Sequence, residues 1–174
     1  PCTEAILDAD IARVVIGAID PDTRVAGGGV ERLREAGVEV TMGLLADEVE
    51  LMDPANFHHR RTGRPRVTLK AAMTLDGQVA ARDGTSQWIT SVEAREDGHR
   101  LRAEADAVLV GAGTVLADDP ELTVRLPGYH GRQPIPVVIA GKRPVPNELR
   151  VIERNAVVFA PSERQLDTEV VVVE

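Results

Sequence analysis

The amino-acid sequence predicts an α/β fold, in which short strands alternate with helices. Two observations carry that expectation: β-branched apolar runs recur along the chain, and stretches of helical periodicity separate them. The apolar fraction of 43% is enough to pack such layers around a core, and 174 residues accommodate one medium domain or two small ones.

Residues 3–9 read as a short helix. Residues 13–19 form a β-branched run that ends at Asp20-Pro21-Asp22, the pattern of a strand entering a turn. Gly27 to Gly29 lead into a helix with Val30 and Leu33 on one face, and Gly37 stands where such a helix ends. Val38, Val40 and Met42 alternate with polar residues, a strand signal. Residues 44–59 have helical character, but Pro54 lacks an amide hydrogen and must kink the helix or restart it. The polar and basic stretch from His58 to Pro65 suits a linker.

Beyond it, Val67, Leu69, Ala71 and Met73 alternate with Arg66, Thr68, Lys70 and Ala72, which predicts a strand with one polar face. Asp76-Gly77 offers a tight turn, and residues 78–81 a second short strand. The capping-box spacing from Thr90 to Glu93 predicts a helix from Ser91 to about Ala105. Strands are expected at residues 107–110, 136–140, 156–160 and 170–173, with no internal repeat or low-complexity tract.

Composition excludes several classes of function. The excess of acidic over basic side chains gives a net charge of −8, which repels polyanions, so nucleic acid is not an expected partner. No apolar run approaches the roughly 20 residues that span a bilayer, and no secretory leader is recognisable, so a cytoplasmic protein is expected. The single cysteine cannot form an internal disulfide and suits a reducing compartment. A start at Pro1 rather than Met, and an end inside the apolar run 170–173, lead to the expectation of a piece of a longer protein.

Several residues invite a chemical reading beside a plainer one. Cys2 follows a proline at a helix start, where the dipole favours thiolate and metal ligation, although an isolated cysteine is more commonly a small buried hydrophobe. Zinc deaminases supply a context for it, with a histidine-x-glutamate segment followed by two cysteines, one of them after a proline. His58 and His59 would point about 100° apart on a helix and read as a solvated pair. Lys70 stands at the polar edge of the expected strand beside a turn, where ligands bind, or is simply solvated. Trp88 lies among hydroxyl-bearing residues as a core tryptophan or a ligand-stacking one. Gly111 and Gly113 end a strand, where the backbone can approach a phosphate or complete a turn. Asp118-Asp119-Pro120 reads as a capping turn, and Arg102 and Arg125 as phosphate forks or ordinary surface arginines.

The order of these residues is more specific than any one of them. Residues 1–6 (Pro-Cys-Thr-Glu-Ala-Ile), Arg13-Val14-Val15, Asp20-Pro21, residues 25–30 and Ala36-Gly37-Val38-Glu39-Val40 resemble the second half of the riboflavin-pathway deaminase domain. Lys70 to Gly77, Ser86-Gln87-Trp88-Ile89-Thr90, Arg95, His99 to Ala103, Gly111 to Pro120 and Leu122-Thr123-Val124-Arg125 resemble the riboflavin-pathway reductase. The chain is thus similar to the bifunctional deaminase/reductase family. The resemblance implies that residues 1–62 are the C-terminal portion of a cytidine-deaminase-like α/β/α domain, and residues 63–174 the N-terminal portion of a dihydrofolate-reductase-like α/β domain.

The same resemblance implies an activity and a set of site residues. The complete protein would deaminate a phosphoribosylaminopyrimidine at a zinc site and reduce 5-amino-6-(5-phosphoribosylamino)uracil with NADPH. Ala72, Trp88, Thr114 and Asp118 match cofactor-contacting positions, and Ser86, Arg102, Leu122 and Arg125 match substrate-contacting ones. Hydride arriving at the sugar C1 leaves charge on the ring oxygen, which calls for a proton donor or hydrogen bonds there, a role open to Lys70 or Asp118. Cys2 matches the last of three zinc ligands, with the others and the proton-shuttling glutamate upstream of residue 1. A zinc with one protein ligand would not activate water, so the chain alone is not expected to deaminate. The family's glycine-pair phosphate loop and an acidic substrate residue would lie beyond Glu174, and a homodimer through the reductase domain is expected. Two alternatives are a stand-alone reductase with a degenerate amino-terminal domain and a non-catalytic nucleotide-binding scaffold.

Overall fold

The computed structural model describes residues 2–22, 24–25 and 27–161, which belong to two compact units, Pro1–Leu69 and Lys70–Glu174. Both are α/β, as the sequence predicts, and the strands of both pair in parallel.

In the first unit, α1 (Cys2–Asp8), β1 (Arg13–Ile16), α2 (Gly28–Glu35), β2 (Glu39–Met42), α3 (Ala46–Met52) and α4 (Pro54–Thr62) succeed one another. The two strands pair in parallel, Arg13 opposite Glu39 through Ile16 opposite Met42. β1 is shorter than the expected 13–19 because its partner turns away at Gly43, whose φ is +82°. The end of α2 is locally determined. Gly37 takes a φ of +85°, its N–H donates to Arg34 O, and the Val38 N–H donates back to Leu33 O. Leu33 and Val38, the two residues that this closure brings together, are the buried apolar residues of the unit among those described.

Pro54 restarts the helix rather than kinking it. It occupies the first helical turn, where no amide hydrogen is needed, and the Asp53 side chain accepts from Asn56 N at 3.3 Å. The expected linker needs correction, because His58 to Thr62 form the last turn of α4 and only then does Gly63, at φ +70°, end it. Two contacts tie the Arg61 side chain down on this last turn. Arg61 is held by both oxygens of Glu50, at 2.6 and 2.7 Å, and its guanidinium lies 5.3 Å above the Phe57 ring.

The second unit holds α5 (Val92–Glu104), β3 (Ala107–Gly111), α6 (Ala112–Asp118), β4 (Ile135–Ile139), α7 (Arg150–Glu153) and β5 (Val157–Phe159). Its sheet has the order β3-β4-β5 with both pairings parallel. The core lies where α6 and α7 cover the sheet: Ala112, Val115, Val138, Val151 and Val158 are buried together with Leu122. Alternate residues of β4 face that core, so Pro136 and Val138 are buried and Ile135 and Ile139 half-exposed.

Two expected strands do not form. Residues 66–73 and 78–81 are irregular, and Val67 and Leu69 are 85% and 92% exposed. An alternating pattern becomes a strand only when a neighbouring strand satisfies its N–H and C=O groups in a ladder, and no strand pairs with these segments among the described residues. Instead Thr74 closes the Asp76-Gly77 turn on itself: its N–H donates to Gln78 O, and its Oγ1 accepts from Gln78 N, both at 2.9 Å. The cap of α5 falls one residue later than the box spacing implies, at Ser91, whose Oγ accepts from Ala94 N at 3.2 Å. Pro1 and the expected strand at 170–173 lie outside the described residues. Among the described residues no helix is long and apolar enough to cross a membrane.

Candidate functional site

Three basic residues of the reductase-like motifs share one face of α5. Arg95, His99 and Arg102 are spaced four and then three residues apart, which puts them on one stripe of the helix. Lys70 crosses that stripe at Gly98, with its Cε 3.5 Å and its Nζ 4.0 Å from where a Cβ on the glycine would stand. From the other side comes the segment 121–125. Arg102 Nη1 donates to Thr123 O at 3.1 Å, and the Arg125 main-chain N–H donates to His99 Nδ1 at 3.2 Å.

That segment is held from below. Leu122 and Val124 are buried, so Thr123 and Arg125 are presented on the opposite side. One side chain, Gln133, satisfies both polar groups of the Val124 main chain, accepting from its N–H at 2.7 Å and donating to its C=O at 3.2 Å. Arg154 donates to the carbonyls of Glu121 and Pro134. The Arg125 side chain leans on Thr123 Oγ1 at 3.3 Å and on the Glu121 carboxylate at 3.8 Å.

Electrostatically this is a site short of negative charge. Burial lowers the Arg102 guanidinium below its ordinary range, and the neighbouring Arg125 lowers it further. The His99 imidazole is lowered first by burial and then by Arg102 and Arg125, with Lys70 acting the same way and the Thr123 carbonyl opposing them. Cations that raise one another's energy in the free protein are stabilised when an anion joins them.

A second group surrounds the loop that precedes α5. Thr74, Asp76, Gln78, Ser86 and Trp88 line a shallow concavity. Trp88 is not a core residue: it is 70% exposed, with the Arg95 guanidinium 4.3 Å from its ring centre and Arg95 itself anchored to Thr90 O at 2.8 Å. Ala72 is half-buried and Ser86 exposed.

A third group sits at the carboxyl end of β3, the edge where parallel α/β sheets receive ligands. A Cβ on Gly113 would stand 2.9 Å from Arg143 Nη1, so the bare glycine lets that guanidinium lie against the start of α6, while the Cβ position at Gly111 is open. Thr114 and Asp118 are exposed and one helical turn apart on α6. This set brings a hydroxyl and closely approachable backbone to one end of the sheet, a combination suited to an anionic group. Lys70 and Asp118 form no ion pair among the described residues. The Leu122 side chain faces the core at a φ of +55°, leaving its main chain for outward contacts.

Cys2 is exposed at the start of α1, and no group of three or more His, Cys, Asp or Glu side chains able to hold a metal ion occurs among the described residues. The described residues therefore do not compose a zinc site. Sequence reasoning gave no role of their own to His99, Gln133, Arg95 and Arg143. For Arg95 and His99 the helical spacing to Arg102 was the available signal. Gln133 and Arg143 reach their places through tertiary structure alone.

A parallel α/β unit with a cluster of basic side chains gathered where α5 meets segment 121–125 is the class this geometry defines. A family model described as the RibD C-terminal domain matches residues 65–173, and the chain belongs to that family, as the resemblance read from Lys70 to Arg125 implied. The riboflavin biosynthesis protein RibD of Mycobacterium tuberculosis (strain H37Rv) is 49% identical over 159 residues, which is 90% of this chain and 46% of that protein. The RibD of Escherichia coli K12 is 41% identical over 165 residues, 88% of this chain and 45% of that protein. Among solved structures, a diaminohydroxyphosphoribosylaminopyrimidine deaminase/5-amino-6-(5-phosphoribosylamino)uracil reductase of Thermotoga maritima superposes with a TM-score of 0.81 at 43% identity, covering 92% of this chain and 45% of that one. Acinetobacter baumannii RibD gives 0.84 at 36% identity, covering 92% and 47%. The chain thus spans less than half the length of each of these proteins.

Proposed function

We propose that this chain is part of a bifunctional riboflavin-biosynthesis enzyme. Its second portion, residues 63–174, contributes to an NADPH-dependent reductase that converts the ribosyl group of 5-amino-6-(5-phosphoribosylamino)uracil to a ribityl chain. Its first portion, residues 1–62, belongs to a cytidine-deaminase-like domain that acts on a phosphoribosylaminopyrimidine. The observation that carries the reductase reading is the meeting of Lys70, His99, Arg102 and Arg125, with Glu121 as their nearby carboxylate.

In this reading Arg102 and Arg125 bind the substrate phosphate, since planar guanidinium donors can engage two oxygens at once. The Leu122 main chain and the Ser86 hydroxyl orient the rest of the substrate. Ala72, Trp88, Thr114 and Asp118 hold the cofactor, the indole by stacking and Thr114 by a hydrogen bond beside the two glycines. NADPH, when bound, supplies a hydride to the sugar C1. The C1 bond to the ring oxygen breaks as the new C–H bond forms, and the ring oxygen takes a proton from Lys70 or by way of Asp118. Cys2 gives one ligand to a zinc that other parts of the complete protein would have to hold. The protein works in the cytoplasm as a homodimer that pairs through the reductase domain.

The test is NADPH oxidation by the complete purified protein with the deaminated pyrimidine substrate, with bound zinc measured on the same sample. Turnover with about one zinc per chain is the expected result. Turnover without zinc points to a reductase alone, and no turnover by a folded protein overturns the enzymatic reading.

A further inference from the structure

His99 differs from the other members of the cluster, because its hydrogen bond requires it to be uncharged. Its Nδ1 accepts the Arg125 main-chain N–H at 3.2 Å, so that lone pair is committed and the ring proton belongs on Nε2. The charged groups that face the ring come from each segment packed against it: Arg102 from α5, Lys70 from the preceding segment, and Arg125 from segment 121–125, with Glu121 turned toward Arg125. Burial and each of these cations disfavour an imidazolium, and the Thr123 carbonyl alone favours one.

We propose that His99 is a positioning residue for anion recognition: as a neutral acceptor it fixes the main chain at Arg125, and with it the direction from which the Arg125 guanidinium meets a phosphate ester. The inference rests on the reading of this cluster as the substrate's anion site. Protonating the ring separates this role from that of a simple cation. An imidazolium serving as a phosphate ligand would strengthen anion binding in acid. A ring that must accept from Arg125 N–H loses its acceptor on protonation, and binding weakens in acid although the site gains positive charge.

The experiment is calorimetric titration of the complete protein with sulfate, a dianion that does not titrate in the range used, at about pH 7.5 and at about pH 4.5, the lower value set well beneath the ordinary histidine range because burial and the neighbouring cations lower the ring. His99→Asn and His99→Ala are measured beside the wild type. Asparagine offers a carbonyl oxygen near the place of Nδ1 and does not titrate. The expected result is wild-type affinity that falls about fivefold toward acid, the worth of one hydrogen bond. His99→Asn should bind within about twofold of wild type at the higher pH and stay flat, and His99→Ala should be about fivefold weaker at both. Tighter sulfate binding by wild type in acid, equal losses in the two variants, or no saturable binding by wild type would each overturn the proposal. Reductase turnover by the same wild-type sample tests the enzymatic reading separately, so failure of one is distinguishable from failure of the other.

Discussion

Gln133 closes on the Val124 main chain from both sides, its Oε1 2.7 Å from the Val124 nitrogen and its Nε2 3.2 Å from the Val124 oxygen. A neighbouring strand would satisfy the same two groups, so one side chain takes the place of a sheet partner where the chain is irregular. Val124 is only 5% exposed, and little water can replace that amide. Gln133→Ala should therefore cost about 2 kcal/mol, and Gln133→Glu, which keeps the acceptor but turns a carboxylate oxygen toward the Val124 carbonyl, should cost at least as much. Chemical denaturation of the three proteins checks the order. Equal stability of wild type and Gln133→Ala would show that the clamp contributes nothing.

Arg102 is the most deeply placed cation of the cluster, and its Nη1 is bonded to Thr123 O at 3.1 Å. Lysine in its place keeps the charge but loses the planar fork, so it cannot hold Thr123 and a phosphate oxygen together. Arg102→Lys should raise KM for the phosphorylated substrate about tenfold with little change in kcat, the pattern of a lost uniform binding interaction. Steady-state kinetics at fixed salt decide it. A change in kcat at constant KM would place Arg102 in the chemical step instead.

What the sequence made legible was what neighbouring residues decide. Gly37 ends α2 through bonds that reach back only to Leu33 and Arg34, and Asp53-Pro54 starts α4 within one turn. Residues 66–73 carry an equally clear alternation, yet their state depends on a backbone partner that no local pattern specifies. Asp119 shows the same limit in one side chain. It ends α6 with a φ of +39°, while its carboxylate accepts from Arg150 N at 2.9 Å, at the start of α7, a helix distant in sequence. In the candidate site, the order of the motifs singled out Arg102 and Arg125, while a role for His99 became visible only when α5 and segment 121–125 met.

Gly17 comes directly after β1, where α3 crosses it. A Cβ there would stand 2.4 Å from Val49 Cγ2 and 3.2 Å from Leu44 O, closer than side chains tolerate. Gly17→Ala should destabilise the protein by about 2 kcal/mol through overpacking. Val49→Ala removes the nearer obstacle and not the carbonyl, so the double variant should recover part of that loss rather than add a second one. Thermal unfolding of the four proteins in a double-mutant cycle reads the coupling, and simple additivity would mean that Val49 is not what Gly17 avoids.

Asp22 joins the turn after β1 to α4. Its carboxylate takes Arg24 Nη2 at 2.6 Å and Arg60 Nη1 at 3.1 Å, and also accepts from the Arg24 main-chain N–H at 3.0 Å. The hydrogen bonds from Arg24 hold the Asp22 carboxyl far below its ordinary value of 3.8, and the charge of Arg60 adds to them. For a group whose folded value is depressed, the linked stability is present above the unfolded value and is lost as pH falls below it toward the folded one. Acidification from about pH 5 should therefore weaken the wild type, steepening below about pH 4. Asp22→Asn, which cannot change charge, should be less stable near neutrality and lose less on acidification. Added salt should narrow the difference, since the arginines are largely exposed. Urea midpoints of both proteins across that range test the sign, and parallel acid curves would mean that the Asp22 carboxylate is no better held in the folded chain than in the unfolded one.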